Sequence, residues 1–127
     1  VDTVAGRIKV MPGTGSNNTA EALRLTKCAE KAGADAALQV APYYNKPTQQ
    51  GFYEHFKKIA EESGLQQCIY NIPGRTGKNV DPDTMLSLSQ VDATGATPDP
   101  SALPPEVLDD LMGAVSTCGI APDSLLG

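Results

Sequence analysis

The apolar positions of this chain alternate between two spacings. Ala22, Leu25, Ala29 and Ala32 follow at 3-4-3 intervals, which puts them on one face of a helix. Asn18 stands where that helix would be capped, with Glu21 three residues on as in a capping box, and Gly33 closes it. Phe52, Phe56 and Ile59 mark the inner face of a further helix, opened by Thr48 and stopped by Gly64. Asp81-Pro82 sets an N-cap with proline at the first helical position, and Met85 and Leu88 follow on the inner face of a short helix. Between the helices lie runs of strand length: Ile8–Met11, Ala36–Val40 and Leu65–Tyr70. Val1–Gly6 reads as the tail of a preceding helix, ended by Gly6. The order β-α-β-α-β-α predicts an α/β fold with parallel strands and right-handed crossovers.

Beyond Gln90 the alternation stops. Residues 92–105 are rich in Gly, Pro, Thr, Ser and Asp and read as loop. Pro104-Pro105-Glu106 opens a last helix running to about Val115, with Val107, Leu108, Leu111 and Met112 apolar, and Gly119–Gly127 reads as a weakly ordered tail. The expectation is one domain over 1–127, with regular βα units in 1–90 and a divergent loop and helix in 91–127.

Charge and composition narrow the partners. Lys plus Arg total 10 and Asp plus Glu 15, a net charge of −5. No basic stripe exists to neutralise phosphates, so nucleic acid is not an expected partner. No run of about 18 apolar residues occurs, so no membrane-spanning helix is expected. No basic-then-apolar leader opens the sequence. Cys28, Cys68 and Cys118 are an odd number without metal-ligand spacing, and read as reduced thiols of a cytoplasmic protein. The pattern asks for no cofactor and no metal. The start at Val1 rather than Met reads as a fragment or a processed chain.

Two strand ends carry the candidate chemistry. In parallel α/β folds ligands sit at the carboxyl ends of the strands. Ala36–Val40 leads into Ala41-Pro42-Tyr43-Tyr44-Asn45-Lys46-Pro47. Leu65–Tyr70 leads into Asn71-Ile72-Pro73-Gly74-Arg75-Thr76-Gly77, a tight Pro-Gly turn followed by an arginine. Tyrosines and a guanidinium thus meet at one rim. Together with Gly13-Thr14-Gly15-Ser16-Asn17-Asn18-Thr19, these are three motifs in the order and spacing by which residues 1–90 resemble the dihydrodipicolinate synthase family, pyruvate-dependent lyases of lysine biosynthesis. The resemblance implies part of a TIM (β/α)8 barrel: about three parallel βα units, here with an irregular C-terminal helical segment. A whole barrel needs about 250 residues, and this chain has 127.

The resemblance also implies roles. Tyr70 matches a catalytic tyrosine that shuttles protons, which a phenol does because it both donates and accepts. Tyr44 matches a tyrosine that reaches across a tight dimer into the neighbour's site, joining Tyr70 and a threonine in a hydroxyl relay. That threonine belongs to an earlier Thr-Thr-Gly-Glu stretch that this sequence does not contain. Arg75 matches the arginine that engages the carboxylate of the aldehyde substrate, a task suited to a planar guanidinium. Asn17, Glu21 and Tyr43 match positions where some members bind lysine as a feedback inhibitor. On the residues alone, plainer readings stand beside these. Tyr70 is also a strand-end tyrosine with packed ring and wet hydroxyl. Tyr44 is also a turn tyrosine between prolines, Arg75 a solvated loop arginine and Glu21 a capping acid. His55, beside an apolar helix face, reads as a structural histidine rather than a metal ligand. Gly13-Thr14-Gly15 lacks the lysine and spacing of a phosphate loop.

The family reaction condenses pyruvate with aspartate semialdehyde through an imine on a lysine, the imine serving as electron sink. In the resemblance that lysine precedes a segment similar to Asp92-Ala93-Thr94-Gly95. Val91 stands in its place, and no lysine follows Lys78. Of the candidate substitutes, Lys46 and Lys78 lie in polar loops, where an amine keeps its ordinary pKa of about 10.4; Lys9 lies on the expected first strand. The expectation is a dihydrodipicolinate synthase-like chain that is inactive alone. The alternatives are a related pyruvate-dependent aldolase such as an N-acetylneuraminate lyase, a non-catalytic binding or interaction module, and a truncated product. Open sheet edges and an uncovered inner face predict a homo-oligomer, or a rearranged compact layer.

Overall fold

The computed structural model describes residues 1–91. The helix expected after Pro104 lies outside them. The elements run α1 (Thr19–Lys31), β1 (Ala36–Val40), α2 (Gln49–Glu62), β2 (Gln66–Tyr70), α3 (Pro73–Thr76) and α4 (Pro82–Leu88). β1 and β2 pair in parallel, from Ala36 opposite Gln66 to Val40 opposite Tyr70. The α/β class and the parallel pairing expected from the alternation are therefore present.

The first expected strand is not. Ile8 and Met11 are exposed; this segment meets β1 through a parallel bridge between Gly13 and Leu38, and just before β1 Asp35 N–H donates to Val10 O at 2.9 Å. Leu38 N–H donates to Pro12 O (2.9 Å) and Thr14 N–H to Leu38 O (3.0 Å). Pro12 has no N–H of its own, so the ladder cannot extend in strand fashion through it. The expected three strands are thus two strands and one rung. Val1–Gly6 forms turns rather than a helix tail, with Gly6 at φ 76°.

Helix boundaries follow local chemistry. Asn18 caps α1, its side chain accepting from Glu21 N–H at 3.0 Å. Thr48 caps α2, accepting from Gly51 N–H at 3.1 Å. Gly33, left-handed at φ 84°, follows the end of α1 as expected. Gly64 is not a left-handed stop. α2 ends at Glu62 with Ser63 as its C-cap, and Gly64 is instead a position where a Cβ would run into the Glu30 carboxylate.

α1, α2 and α4 pack on one face of the sheet. Ala37 of β1 sits with Ala29 of α1 and Leu65. Ala22 and Leu23 of α1 meet Ile59 of α2. Ala41, Phe52, Phe56, Val80 and Leu88 form a further cluster, joined by Ile69 and Met85. Ladder partners in a parallel pair point the same way, and faces alternate along a strand. Ala37, Gln39 and Ile69 therefore face the helices. Leu38, Val40, Cys68 and Tyr70 face the other side, which no described helix covers, and all are at least partly exposed.

A polar knot crosses the helix side. Gln39, fully buried in β1, donates from Nε2 to the hydroxyls of Thr14 and Thr26, each at 2.8 Å. Those hydroxyls are 3.0 Å apart, and Thr26 donates on to Ala22 O at 2.7 Å. The rung segment, β1 and α1 are tied by this one side chain. Gln39 Oε1 is buried without a hydrogen-bond partner.

Candidate functional site

The rim begins where β1 and β2 end in register. Ala41 N–H donates to Tyr70 O at 3.0 Å, so the chain leaves both strands at one level. Tyr70 is 37% exposed and shares the helix-free face with its partner Val40. Arg75 comes five residues later, in the single turn of α3. Gly77 caps that turn at φ 79°, its N–H donating to Pro73 O at 2.9 Å. Thr76 is buried, its hydroxyl within reach of Ile72 O (3.2 Å) and Lys78 O (3.0 Å). With Thr76 facing inward, Arg75 faces outward: it is exposed, and among the described residues its guanidinium has no hydrogen-bond or ion-pair partner. The two rim loops touch, since a Cβ on Gly77 would stand 3.1 Å from Cε of Lys46.

Tyr44 lies on the same rim but on nothing else. It is 91% exposed, and its φ of 71° is left-handed, as is the 44° of Lys46. Asn17 braces this loop from the α1 side: its Nδ2 donates to Tyr43 O (3.0 Å), and Asn45 Nδ2 donates to Asn17 O (3.0 Å). Asn17 and Tyr43 are therefore together, through the backbone of Tyr43. Glu21 is occupied elsewhere. The expected capping box is relayed: Asn18 N–H donates to Ser16 Oγ at 3.2 Å, and Ser16 donates to the Glu21 carboxylate at 2.5 Å.

Lys9 lies at the other end of β1 from the rim that carries Tyr70. Its Nζ sits 2.8 Å from Asp35, the residue immediately before β1, whose other carboxylate oxygen accepts from Val10 N–H. The hydrogen bond to Asp35, with its negative charge, raises the Lys9 pKa above the usual lysine value and keeps the amine protonated. His55 packs inside, and its Nε2 is buried without a hydrogen-bond partner among the described residues. It is buried, Nδ1 lies 2.8 Å from Thr19 Oγ1, and its ring meets Phe56 edge-on. Burial lowers its pKa to about 4.

Sequence reasoning passed over two amides that shape the rim. Asn71 Oδ1 accepts from Val80 N–H (3.1 Å) while its Nδ2 donates to Asn79 Oδ1 (2.9 Å). Gln49, the first residue of α2, donates to Asn79 O (2.8 Å) and accepts from Asp81 N–H (3.0 Å) and the Thr84 hydroxyl (2.8 Å). Asp81 stands at the expected N-cap of α4, but its side chain makes no cap bond; it accepts from Asn79 instead. A polar residue at a helix start signals this role only when its distant partner is known.

Comparison with known proteins agrees with the rim's motifs. The model of the Dihydrodipicolinate synthetase family matches residues 1–98. The 4-hydroxy-tetrahydrodipicolinate synthase of Dechloromonas aromatica is 57% identical over 102 residues, which covers 75% of this chain and 35% of that protein. Dihydrodipicolinate synthase from Aquifex aeolicus superimposes with a TM-score of 0.72 at 53% identity, over 74% of this chain and 32% of its own. The chloride-inhibited enzyme of Acinetobacter baumannii, solved with pyruvate, gives 0.71 at 50% identity, over 72% and 32%. The Cyanidioschyzon merolae enzyme, solved with lysine bound, gives 0.70 at 46%, over 73% and 32%. The chain spans about a third of the length of these relatives. By motif, by profile and by backbone it belongs to the dihydrodipicolinate synthetase family.

Proposed function

We propose that this chain carries the tyrosine–arginine part of a dihydrodipicolinate synthase site, in a lyase of lysine biosynthesis that condenses pyruvate with aspartate semialdehyde. One observation carries the reading. Tyr70 closes β2 on its helix-free face, and the loop directly behind it presents Arg75 with its guanidinium unengaged among the described residues. An unengaged guanidinium on the loop that follows a strand-end phenol is suited to hold a carboxylate while protons move at a neighbouring carbon. The pyruvate in the Acinetobacter baumannii relative supports the substrate class. The lysine in the Cyanidioschyzon merolae relative supports an effector role for Asn17, Glu21 and Tyr43, for which Glu21 would have to release Ser16.

The βα units belong, in this reading, to a (β/α)8 barrel in the cytoplasm, and Tyr44 serves the site of a second copy in a homo-oligomer. Its 91% exposure supports that assignment. The chain by itself is inactive. Lys9 is held protonated by Asp35 at the far end of β1, and no lysine follows Lys78 to form the imine. Pyruvate and borohydride added to the 127-residue chain, followed by mass measurement, test this. Unchanged mass is expected, and a pyruvyl adduct would overturn the inactive reading. A titration with succinate as a carboxylate probe, followed by NMR, tests the rim: shifts at Arg75 that vanish in Arg75→Ala are expected, and a parent chain that shows none overturns the site.

A further inference from the structure

We propose that Gln49 and Asn71 are positioning residues: two amides that fix the loop 71–81 and so set Arg75 at the rim for a carboxylate. The inference rests on the carboxylate reading above for its ligand, but on separate geometry for its mechanism.

Arg75 has no anchor of its own. Its side chain is exposed and unpartnered among the described residues, and α3 is a single turn of four residues, too short to hold a position by itself. Whatever places the guanidinium must act on the backbone of the loop. Asn71 closes that loop at its base. It follows Tyr70 directly and grips Val80 nine residues on, accepting from Val80 N–H at 3.1 Å and approaching Val80 O at 3.4 Å. In effect one side chain supplies the ladder bonds that a next strand residue would have made. Val80 is then fixed by burial in the cluster with Phe52 and Leu88.

Gln49 fixes the other side. In a capping box the side chain three residues past the N-cap turns back to the N-cap N–H. α4 has Thr84 at that place, and Thr84 does not turn back to Asp81. Gln49 Oε1, from a different helix, accepts from both Asp81 N–H and the Thr84 hydroxyl. Its Nε2 holds Asn79 O at 2.8 Å. The start of α2 is thereby locked to the start of α4, with Asn79 between the two amides. Because α2 also begins right after the Tyr43–Lys46 loop, the brace sets both rim loops against one frame, and Lys46 lies over Gly77 within it.

The test uses the full 127-residue chain and four variants. Asn71→Leu and Gln49→Met keep size and remove the hydrogen bonds. Asn71→Asp and Gln49→Glu keep the acceptor oxygens for Val80 and Asp81. Amide exchange and succinate affinity are both measured. In the apolar variants the amides of Val80 and Asp81 should exchange at least tenfold faster, with α1 and β1 unchanged, and succinate should bind at least fivefold more weakly. The acid variants should recover most of the protection. Accelerated exchange with parental succinate affinity would overturn the proposal, because the loop would then be braced without Arg75 depending on it. Unchanged exchange in the apolar variants overturns it as well. A parent chain that binds no succinate overturns the carboxylate reading instead; the brace is then decided by the exchange pattern alone.

Discussion

Gly15 lies directly against Val40, so closely that a Cβ at residue 15 would overlap the Val40 backbone nitrogen and stand 2.8 Å from its Cγ1. The contact follows from the rung, in which Thr14 and Gly15 both donate to Leu38 O. Gly15→Ala should therefore push the N-terminal segment off β1, at a cost of about 1–3 kcal/mol. Gly13→Ala is the control, since nothing stands within 4 Å of its Cβ position, and it should stay within about 0.5 kcal/mol of the parent. Urea midpoints of the two variants decide this; equal midpoints would remove the steric account.

The buried knot around Gln39 predicts an inverted order of damage. Thr26→Val takes away one acceptor of Gln39 Nε2 and the partner of the Thr14 hydroxyl, leaving buried polar groups short of partners. The cost should be about 1–3 kcal/mol. Gln39→Leu removes the larger group, yet Thr14 and Thr26 still bond each other and the orphan Oε1 is gone. It should cost less than Thr26→Val, and stability curves of the pair give the order directly.

Acid should weaken the packing of α1 on α2. His55 folded has a pKa of about 4, lowered by burial from the ordinary 6.5, so the unfolded chain takes up its proton more readily. Its contribution is complete above pH 6.5 and is lost progressively as pH falls toward 4. The slope in that window is at most about 1.4 kcal/mol per pH unit. His55→Gln should flatten it. A parent whose denaturation midpoint is level across the window would contradict the burial of a neutral ring.

Asp35 should govern the reactivity of Lys9. Its hydrogen bond and charge hold the amine protonated, and only the neutral amine is acylated. Asp35→Asn should speed acylation of Lys9 severalfold at pH 8 to 9 while Lys46 and Lys78 react as before. Peptide mass mapping after brief treatment with an acetylating reagent reads the three rates separately.

The sequence made the helices legible because their starts and inner faces rest on near neighbours. Asn18 and Thr48 cap helices whose N–H groups lie three residues away, and Phe52, Phe56 and Ile59 turn to one side within a single element. β1 and β2 were legible as short apolar runs between helices. The first strand differs from the apolar pattern because its register is fixed by Leu38, some 25 residues later, and by Pro12, which breaks the ladder that the Ile8–Met11 run predicts. Tyr70 and Arg75 are singled out by motifs. Asn71 and Gln49 are not, because their partners lie nine and about thirty residues away and no spacing rule links them. Gln39 fell in a run that reads as apolar, and its partners sit on two other segments.

The one-sided sheet divides the strand residues into two mutational classes. At Ala37 and Ala41, which are wholly enclosed, an added methyl has nowhere to go, so folding itself is the penalty. At Leu38 and Val40, alternating with them, no described helix is packed. Polar replacements there should leave the unfolding midpoint nearly where it was and alter instead how readily the protein sticks to others, so that solubility and foldability can be tuned on the same two strands by choosing odd or even positions.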